Sequence, residues 1–217
     1  MKNRKIIALL CFSLTLFSCG GAKVVTPQAK TLAELKSEEY INKITDIKSR
    51  GLKVSGTSRS LEVALKTHFN NLDSNKYTEI ITDEENCPTI NLCSRKSLTD
   101  ASAEYATLAS SFLRGKVTSE AGYDASSTTD NLAKDRFYGA YEQKVSSNIS
   151  GVLTKSFSLV RKESNGNYFY QTYYLIETAA SKQARLKAYQ QALAETQENI
   201  QFGTAISDYI NETPVKD

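Results

Sequence analysis

Apolar side chains in the first third of the chain recur with the spacing of two amphipathic helices. Residues 31–50 carry them at a helical period among many charges. Residues 61–72 show a cleaner stripe at i, i+3 and i+4, and Ser58 or Ser60 precedes it as an N-cap. Between the two segments, the alternation over residues 52–55 predicts a short strand.

The middle of the chain has a weaker pattern. Residues 73–98 predict irregular structure apart from a short strand at Tyr77–Ile81. A helix is then expected to start near Ser97–Asp100, where the S-x-x-D spacing resembles a capping box, and to end at Gly115. The segment 116–123, KVTSEAGY, predicts another strand.

A β-hairpin is the clearest element in the pattern. A helix capped by Thr129 or Asp130 leads into it. Residues 152–162 and 168–177 are rich in β-branched and aromatic side chains, and they flank Asn-Gly within residues 164–167. Asn-Gly between two such runs is the strongest short-range hairpin signal.

The last segment, residues 181–210, predicts a long C-terminal helix. From Ser97 onwards the order is therefore helix, strand, helix, strand, strand, helix. This mixture predicts an α+β fold, in which a small antiparallel sheet with a C-terminal β-hairpin is covered on one face by helices. Residues 31–217 have the length of one domain.

The N-terminus has the pattern of an export signal. Three basic residues precede an apolar run from Ile6 to Phe17 of about 12 residues, which is shorter than the roughly 20 that a membrane-spanning helix needs. Leu16, Phe17, Ser18 and Cys19 follow the pattern of a bacterial lipobox, with Leu16 and Ser18 as recognition positions for the signal peptidase. The alternatives are an ordinary cleaved secretory signal and a buried helix.

A lipobox implies that residues 1–18 are removed and that Cys19 is acylated. Several acyl chains anchor a protein stably in a membrane, whereas one chain binds only reversibly. Residues 19–30 are small and polar and predict a flexible tether. Gly20 and Gly21 follow the cysteine, with no Asp at the second position. The resemblance to Gram-negative lipoproteins then implies sorting to the outer membrane, and we expect the periplasmic face rather than the cell surface.

Removal of the signal also changes the charge balance. It takes away three of the 27 Lys and Arg residues and no acidic residue, which leaves 24 basic side chains against 24 acidic ones. A neutral chain gives no reason to expect a nucleic-acid partner.

The remaining cysteines form the pair Cys87 and Cys93 in CPTINLC. An even pair in an oxidising compartment predicts a disulfide that closes a small loop. Free thiols are the alternative. A zinc pair is poorly supported, because the C-x5-C spacing has no histidine nearby.

Catalytic patterns are missing from the sequence. The single histidine, His68, lies on the amphipathic helix, and there is no G-x-S-x-G, P-loop or G-x-G-x-x-G segment. The acidic run Asp83, Glu84 and Glu85 lacks the alternating spacing of a calcium loop and predicts a solvated loop. We therefore expect no enzyme activity, no cofactor and no metal.

The hairpin supplies the best candidate for a partner surface, because aromatic side chains occupy both of its faces. If one face covers the core, the other exposes tyrosines, which are enriched at protein interfaces. The alternatives are that the C-terminal helix covers the second face and that the tyrosines stack on a carbohydrate. The candidate residues are Tyr168, Tyr170, Tyr173 and Tyr174.

Three segments resemble the Lpp-twenty lipoprotein family of Gram-negative envelopes. They are the small-residue helix ASAEYATLASSFLRGKVTSEAG at 101–122, the entry and hairpin at 149–177, and the lead-in at 56–72, with the best match over residues 100–178. The resemblance implies an envelope lipoprotein, some members of the family being associated with motility or surface structures. The insertion around Cys87 and the long C-terminal helix depart from the family pattern.

These observations together predict a non-enzymatic lipoprotein that is lipid-anchored in the outer membrane. It would act through contacts with an unidentified envelope protein in envelope or surface-structure assembly. The alternative is a periplasmic lipoprotein that binds a small ligand or a glycan, which would need a concave pocket lined by tyrosine and a few polar groups.

Acylation at Cys19 is testable by metabolic labelling with a palmitate analogue. We expect Cys19→Ser to abolish the label completely, because serine has no thiol for the diacylglycerol. The matched control is Cys11→Ser, which lies inside the apolar run and should label like the wild type. Label that persists in Cys19→Ser, or that is lost in Cys11→Ser, would contradict the lipobox assignment.

Overall fold

A computed structural model describes residues 32–121 and 128–196, together with residues 209 and 212. Within these residues it contains five helices and four strands. In chain order they are α1 (Leu32–Ser49), β1 (Lys53–Ser55), α2 (Leu61–Asp73), β2 (Tyr77–Cys87), α3 (Ile90–Ala121), α4 (Thr128–Ile149), β3 (Leu153–Lys162), β4 (Tyr168–Glu177) and α5 (Thr178–Thr196).

The four strands form one antiparallel sheet in the order β1-β3-β4-β2. Strands β3 and β4 are the predicted hairpin. Its turn contains Gly166 at a φ of 87°, and the Glu163 N–H donates to the Asn167 carbonyl oxygen over 2.8 Å. A positive φ at this point is accessible to glycine without strain. The predicted α+β class and the hairpin are both confirmed.

Helices cover both faces of the sheet, so the prediction of a single covered face is wrong. Successive side chains of β4 point to opposite faces. Phe169 and Tyr173 belong to an apolar cluster with α1 and α2, whereas Tyr174 and Ile176 belong to a cluster with α3, α4 and α5. Both faces of β4 are rich in aromatic and apolar groups, and each needs its own cover.

The layer of α1 and α2 is the thinner one. At its centre the rings of Phe157 and Tyr173 stack with centroids 4.3 Å apart and planes at 12°. The Ser60 side chain caps α2 by accepting from the Val63 N–H over 3.3 Å, as one of the two predicted caps. The buried members of this cluster are Ile47, Leu52, Ala64, Leu65, Phe157, Leu159, Phe169 and Tyr173.

The layer of α3, α4 and α5 holds the larger core. Alanines at 101, 106 and 109 of α3 and at 184, 188 and 192 of α5 are buried there, and small side chains permit close helix packing. The aromatic residues Tyr105, Phe137 and Tyr141 fill the space between them and are no more than 1% exposed.

Helix α3 differs from its prediction at both ends. It begins at Ile90 instead of near Ser97, and Ser97 is buried inside it. It also continues through Gly115 to Ala121, so the strand predicted at 116–123 is wrong as far as residue 121, and residues 122–123 lie outside the described part. Packing against β2 and α4 supports the helix through positions where local propensity favours an end.

Strand β2 is longer than predicted and includes the acidic run. It pairs with β4 from Tyr77 to Glu84, and pairing resumes at Cys87 after a bulge in which Asn86 has a φ of 56°. A bulge inserts one residue in a strand without ending the pairing. The predicted solvated loop at 83–85 is therefore wrong.

The predicted bounds of the C-terminal helix, residues 181–210, are also wrong. Helix α5 begins at Thr178, directly after β4. A straight helix would separate residues 185 and 209 by about 36 Å. The Arg185 Nη1 instead donates to the Tyr209 carbonyl oxygen over 3.0 Å. A single helix over residues 181–210 is therefore excluded, and residues 197–208 lie outside the described part.

The continuity of α3 predicts that Gly115→Ala stabilises the protein by about 0.5–1 kcal/mol, because alanine is the better helix former. No atom lies within 4 Å of a Cβ added at Gly115. The matched control is Gly51→Ala, which should destabilise by about 1 kcal/mol because Gly51 has a φ of 67°. Chemical denaturation measures both. Destabilisation by Gly115→Ala would indicate that α3 ends at this glycine.

Candidate functional site

The three residues predicted for lipid attachment and signal processing, Cys19, Leu16 and Ser18, lie outside the described residues. The described chain begins with α1 at Leu32, directly after the predicted tether. Over residues 32–121 and 128–196, no helix is both long enough and apolar enough to cross a membrane.

The tyrosines of the hairpin lie in the interior. Tyr170, Tyr173 and Tyr174 are 2%, 1% and 3% exposed, so the prediction that they form a partner surface is wrong. Tyr173 faces α1 and α2, Tyr174 packs in the cluster of α3, α4 and α5, and Tyr170 packs with the two cysteines. Tyr168 is half-buried and packs against that same cysteine cluster. The opposite helix layers, rather than a partner, cover the two faces.

The cysteine pair is present as two free, buried thiols, which corrects the predicted disulfide. Cys87 ends β2 and Cys93 lies in the first turn of α3, and both pack with Tyr170. Burial, together with the hydrogen bond to Cys87, raises the pKa of the Cys93 thiol to about 12. A thiol of such high pKa stays protonated at neutral pH and is a poor nucleophile.

The single histidine is a packed residue. His68 is buried, and its Nε2 lies 2.5 Å from the Glu79 Oε1. The rings of Phe69, Phe157 and Tyr173 surround it at centroid distances of 5.5–6.0 Å. His68 lies on α2, the amphipathic helix predicted for it, and a substrate in solution has no access to its imidazole.

A buried carboxylate was missed by the sequence analysis. The Glu84 side chain is fully buried on β2, and its Oε2 accepts from the Lys96 ammonium, which also contacts Asp100 at 3.1 Å. Burial raises the pKa of Glu84, the Lys96 hydrogen bond lowers it, and Asp100 raises it further, so that the net shift is upward. Among the described residues, no group of three or more His, Cys, Asp or Glu side chains is placed to hold a metal ion.

A concave site lies between α1 and α2, and we call it the α1–α2 cleft. It has a volume of about 460 Å³, within the usual range for small-ligand sites. Its two aromatic residues are half-buried and its six polar residues are exposed. The lining residues are Lys36, Ser37, Glu39, Tyr40, Lys66, Phe69, Asn70 and Asp73.

Two contacts set the geometry of the cleft. The rings of Tyr40 and Phe69 meet edge to face with centroids 6.3 Å apart and planes at 75°. The Tyr40 hydroxyl donates to the Glu62 carbonyl oxygen over 2.7 Å. This hydrogen bond links the Tyr40 ring on α1 to the backbone of α2. The aromatic floor is therefore ordered before any ligand arrives.

Ion pairs hold the two helices antiparallel along the cleft. Lys36 near the start of α1 contacts Asp73 at the end of α2 at 2.5 Å, and Lys48 contacts Glu62 at 2.8 Å. Each of these exposed pairs contributes modestly to stability. The sequence did not indicate the cleft, because it arises from the contact of two helices that are separate in the chain.

Comparisons with known proteins found no match: no family model, no curated protein and no solved structure matches the chain. The resemblance of residues 101–122 and 149–177 to Lpp-twenty lipoproteins therefore stays a prediction.

The buried carboxylate gives a prediction for stability against pH. Because the folded pKa of Glu84 lies above the unfolded value of 4.5, the folded state binds the extra proton between these two values. The free energy of unfolding should then fall as pH rises through this window, by at most about 1.4 kcal/mol per pH unit. Glu84→Gln should remove this fall, as measured by denaturation from pH 4 to pH 7.

The control for this series is Glu85→Gln, which changes the exposed neighbour on the same strand. It should keep the pH dependence of the wild type. Equal pH slopes in the two variants would show that Glu84 does not titrate differently in the folded and unfolded states.

Proposed function

We propose that this chain is a non-enzymatic lipoprotein, anchored by acylated Cys19 in the periplasmic face of the outer membrane, that acts through protein contacts in envelope or surface-structure assembly. The observation that carries the proposal is the segment Leu16-Phe17-Ser18-Cys19, placed ahead of a folded region that begins at Leu32. A short tether between a lipid and a folded domain suits a protein that works at the membrane surface.

Burial of the reactive side chains supports a role in binding rather than catalysis. His68 and Cys93 are both fully buried. His68 contacts Phe157 and Tyr173 on the face covered by α1 and α2, whereas Cys93 packs with Tyr170 on the other face. They are therefore not arranged as a nucleophile and base that a substrate can reach.

The layer of α1 and α2 is the favoured contact surface. Two of its large apolar side chains point to solvent, Ile41 with 55% and Val63 with 49% of its surface exposed. Val63 shares a face of α2 with Lys66 and Asn70, because residues three or four apart in a helix are neighbours. This layer also follows the tether directly, which keeps it close to the membrane.

Site-specific photo-crosslinking in intact cells tests this proposal. A photoreactive residue at Ile41 or Val63 should yield one defined adduct, and Cys19→Ser should remove it. The control position is Leu132 on α4, which is 57% exposed but lies in the helix layer on the other side of the sheet. Equal adducts from Leu132, or an adduct that survives loss of the anchor, would contradict the proposal.

A further inference from the structure

Each wall of the α1–α2 cleft carries one basic and one acidic side chain. Lys36 and Asp73 already form an ion pair. Glu39 on α1 and Lys66 on α2 are exposed, and neither makes an ion pair with another described residue. The cleft therefore offers one free carboxylate and one free ammonium, with a net charge of zero over the four charged residues.

We propose that the α1–α2 cleft binds a zwitterionic phosphoethanolamine group, of the kind carried by membrane phospholipids. A ligand with only negative charge would meet repulsion from Glu39, and one with only positive charge would meet repulsion from Lys66. Phosphoethanolamine carries a phosphate that can pair with Lys66 and an ammonium that can pair with Glu39. Charge complementarity of this kind selects a ligand class more strongly than it adds affinity.

The floor of the cleft suits the rest of such a group. Tyr40 and Phe69 present ring surface on which methylene groups pack, and aromatic faces attract an ammonium ion. Because the Tyr40 hydroxyl is already engaged with the Glu62 carbonyl, the ring is held in place, and binding need not order it. The amide of Asn70 and the hydroxyl of Ser37 provide neutral hydrogen-bonding groups at the same site.

The position of the cleft favours a membrane lipid as the source. Its first lining residue, Lys36, lies only four residues after the start of α1 at Leu32. The twelve residues from Gly20 to Thr31 span at most about 40 Å. The choice of a lipid source rests on the proposed anchor at Cys19, whereas the preference for a zwitterion rests on the cleft alone.

The test is an NMR titration of the mature-length chain, residues 19–217, carrying Cys19→Ser so that no acyl chain is present. The probes are glycerophosphoethanolamine, glycerophosphate, ethanolamine and glycine. Glycerophosphoethanolamine should bind most tightly and should shift the signals of Tyr40 and Phe69. Binding no tighter than that of glycerophosphate or ethanolamine overturns the zwitterion, and equal or tighter binding of glycine overturns the lipid headgroup as its source.

Charge-neutralising variants locate the binding. Glu39→Gln and Lys66→Gln should each weaken binding of glycerophosphoethanolamine about fivefold, the effect of losing one exposed charge contact. The controls are Glu38→Gln, an exposed acid beside the cleft, and Lys53→Gln, an exposed base on β1, and both should bind as the wild type does. Unchanged binding in Glu39→Gln and Lys66→Gln overturns the assignment to this cleft, and circular dichroism checks that each variant is folded.

A failure here is distinguishable from a failure of the proposed function. Palmitate labelling of the wild-type chain tests the anchor without involving the cleft. If labelling succeeds and the titration fails, the lipoprotein proposal stands and the headgroup site does not.

Discussion

Strand β4 is the constraint on which the other elements depend. It is paired along its length with β3 on one side and β2 on the other, and all of its residues from Phe169 to Ile176 are buried. A strand buried on both faces needs a helical cover on each, which explains the two helix layers. Its polar side chains are also satisfied, since Gln171 donates to Asp83 over 2.7 Å and accepts from the Tyr173 hydroxyl. Buried polar groups without such partners would destabilise the sheet.

The interior of the larger layer carries further polar contacts, one of which links a helix to this strand. Ser97 on α3 contacts the Thr82 hydroxyl at 2.7 Å and the Tyr174 hydroxyl at 3.1 Å. On the same side of the sheet, Arg185 of α5 is fully buried and donates to the Tyr209 carbonyl oxygen. A buried guanidinium is costly unless it is hydrogen-bonded, and its burial lowers the pKa of Arg185. These contacts join α3 to strands β2 and β4, and they join α5 to Tyr209.

The sequence predicted correctly the features that depend on a few neighbouring residues, such as turns and helix caps. The Asn-Gly hairpin and the Ser60 cap follow from turn and cap preferences, and both are present. The errors occur where long-range packing overrides such preferences. Gly115 has the signature of a helix end, but the contacts of α3 with α4 keep the helix intact around it. Glu84 belongs to an acidic run that predicts a loop, but pairing with Tyr170 and contact with Lys96 hold it in a strand.

The two faces of the sheet have different consequences for function. The larger layer packs the aromatic side chains Tyr105, Phe137 and Tyr141 among buried alanines. The thinner layer of α1 and α2 packs on the sheet through its apolar cluster, exposed ion pairs such as Lys36 with Asp73 link its two helices, and an open cleft lies between them. A tether on Cys19 would enter the fold through α1. The cleft therefore lies in the helix layer through which the proposed anchor would join the folded region.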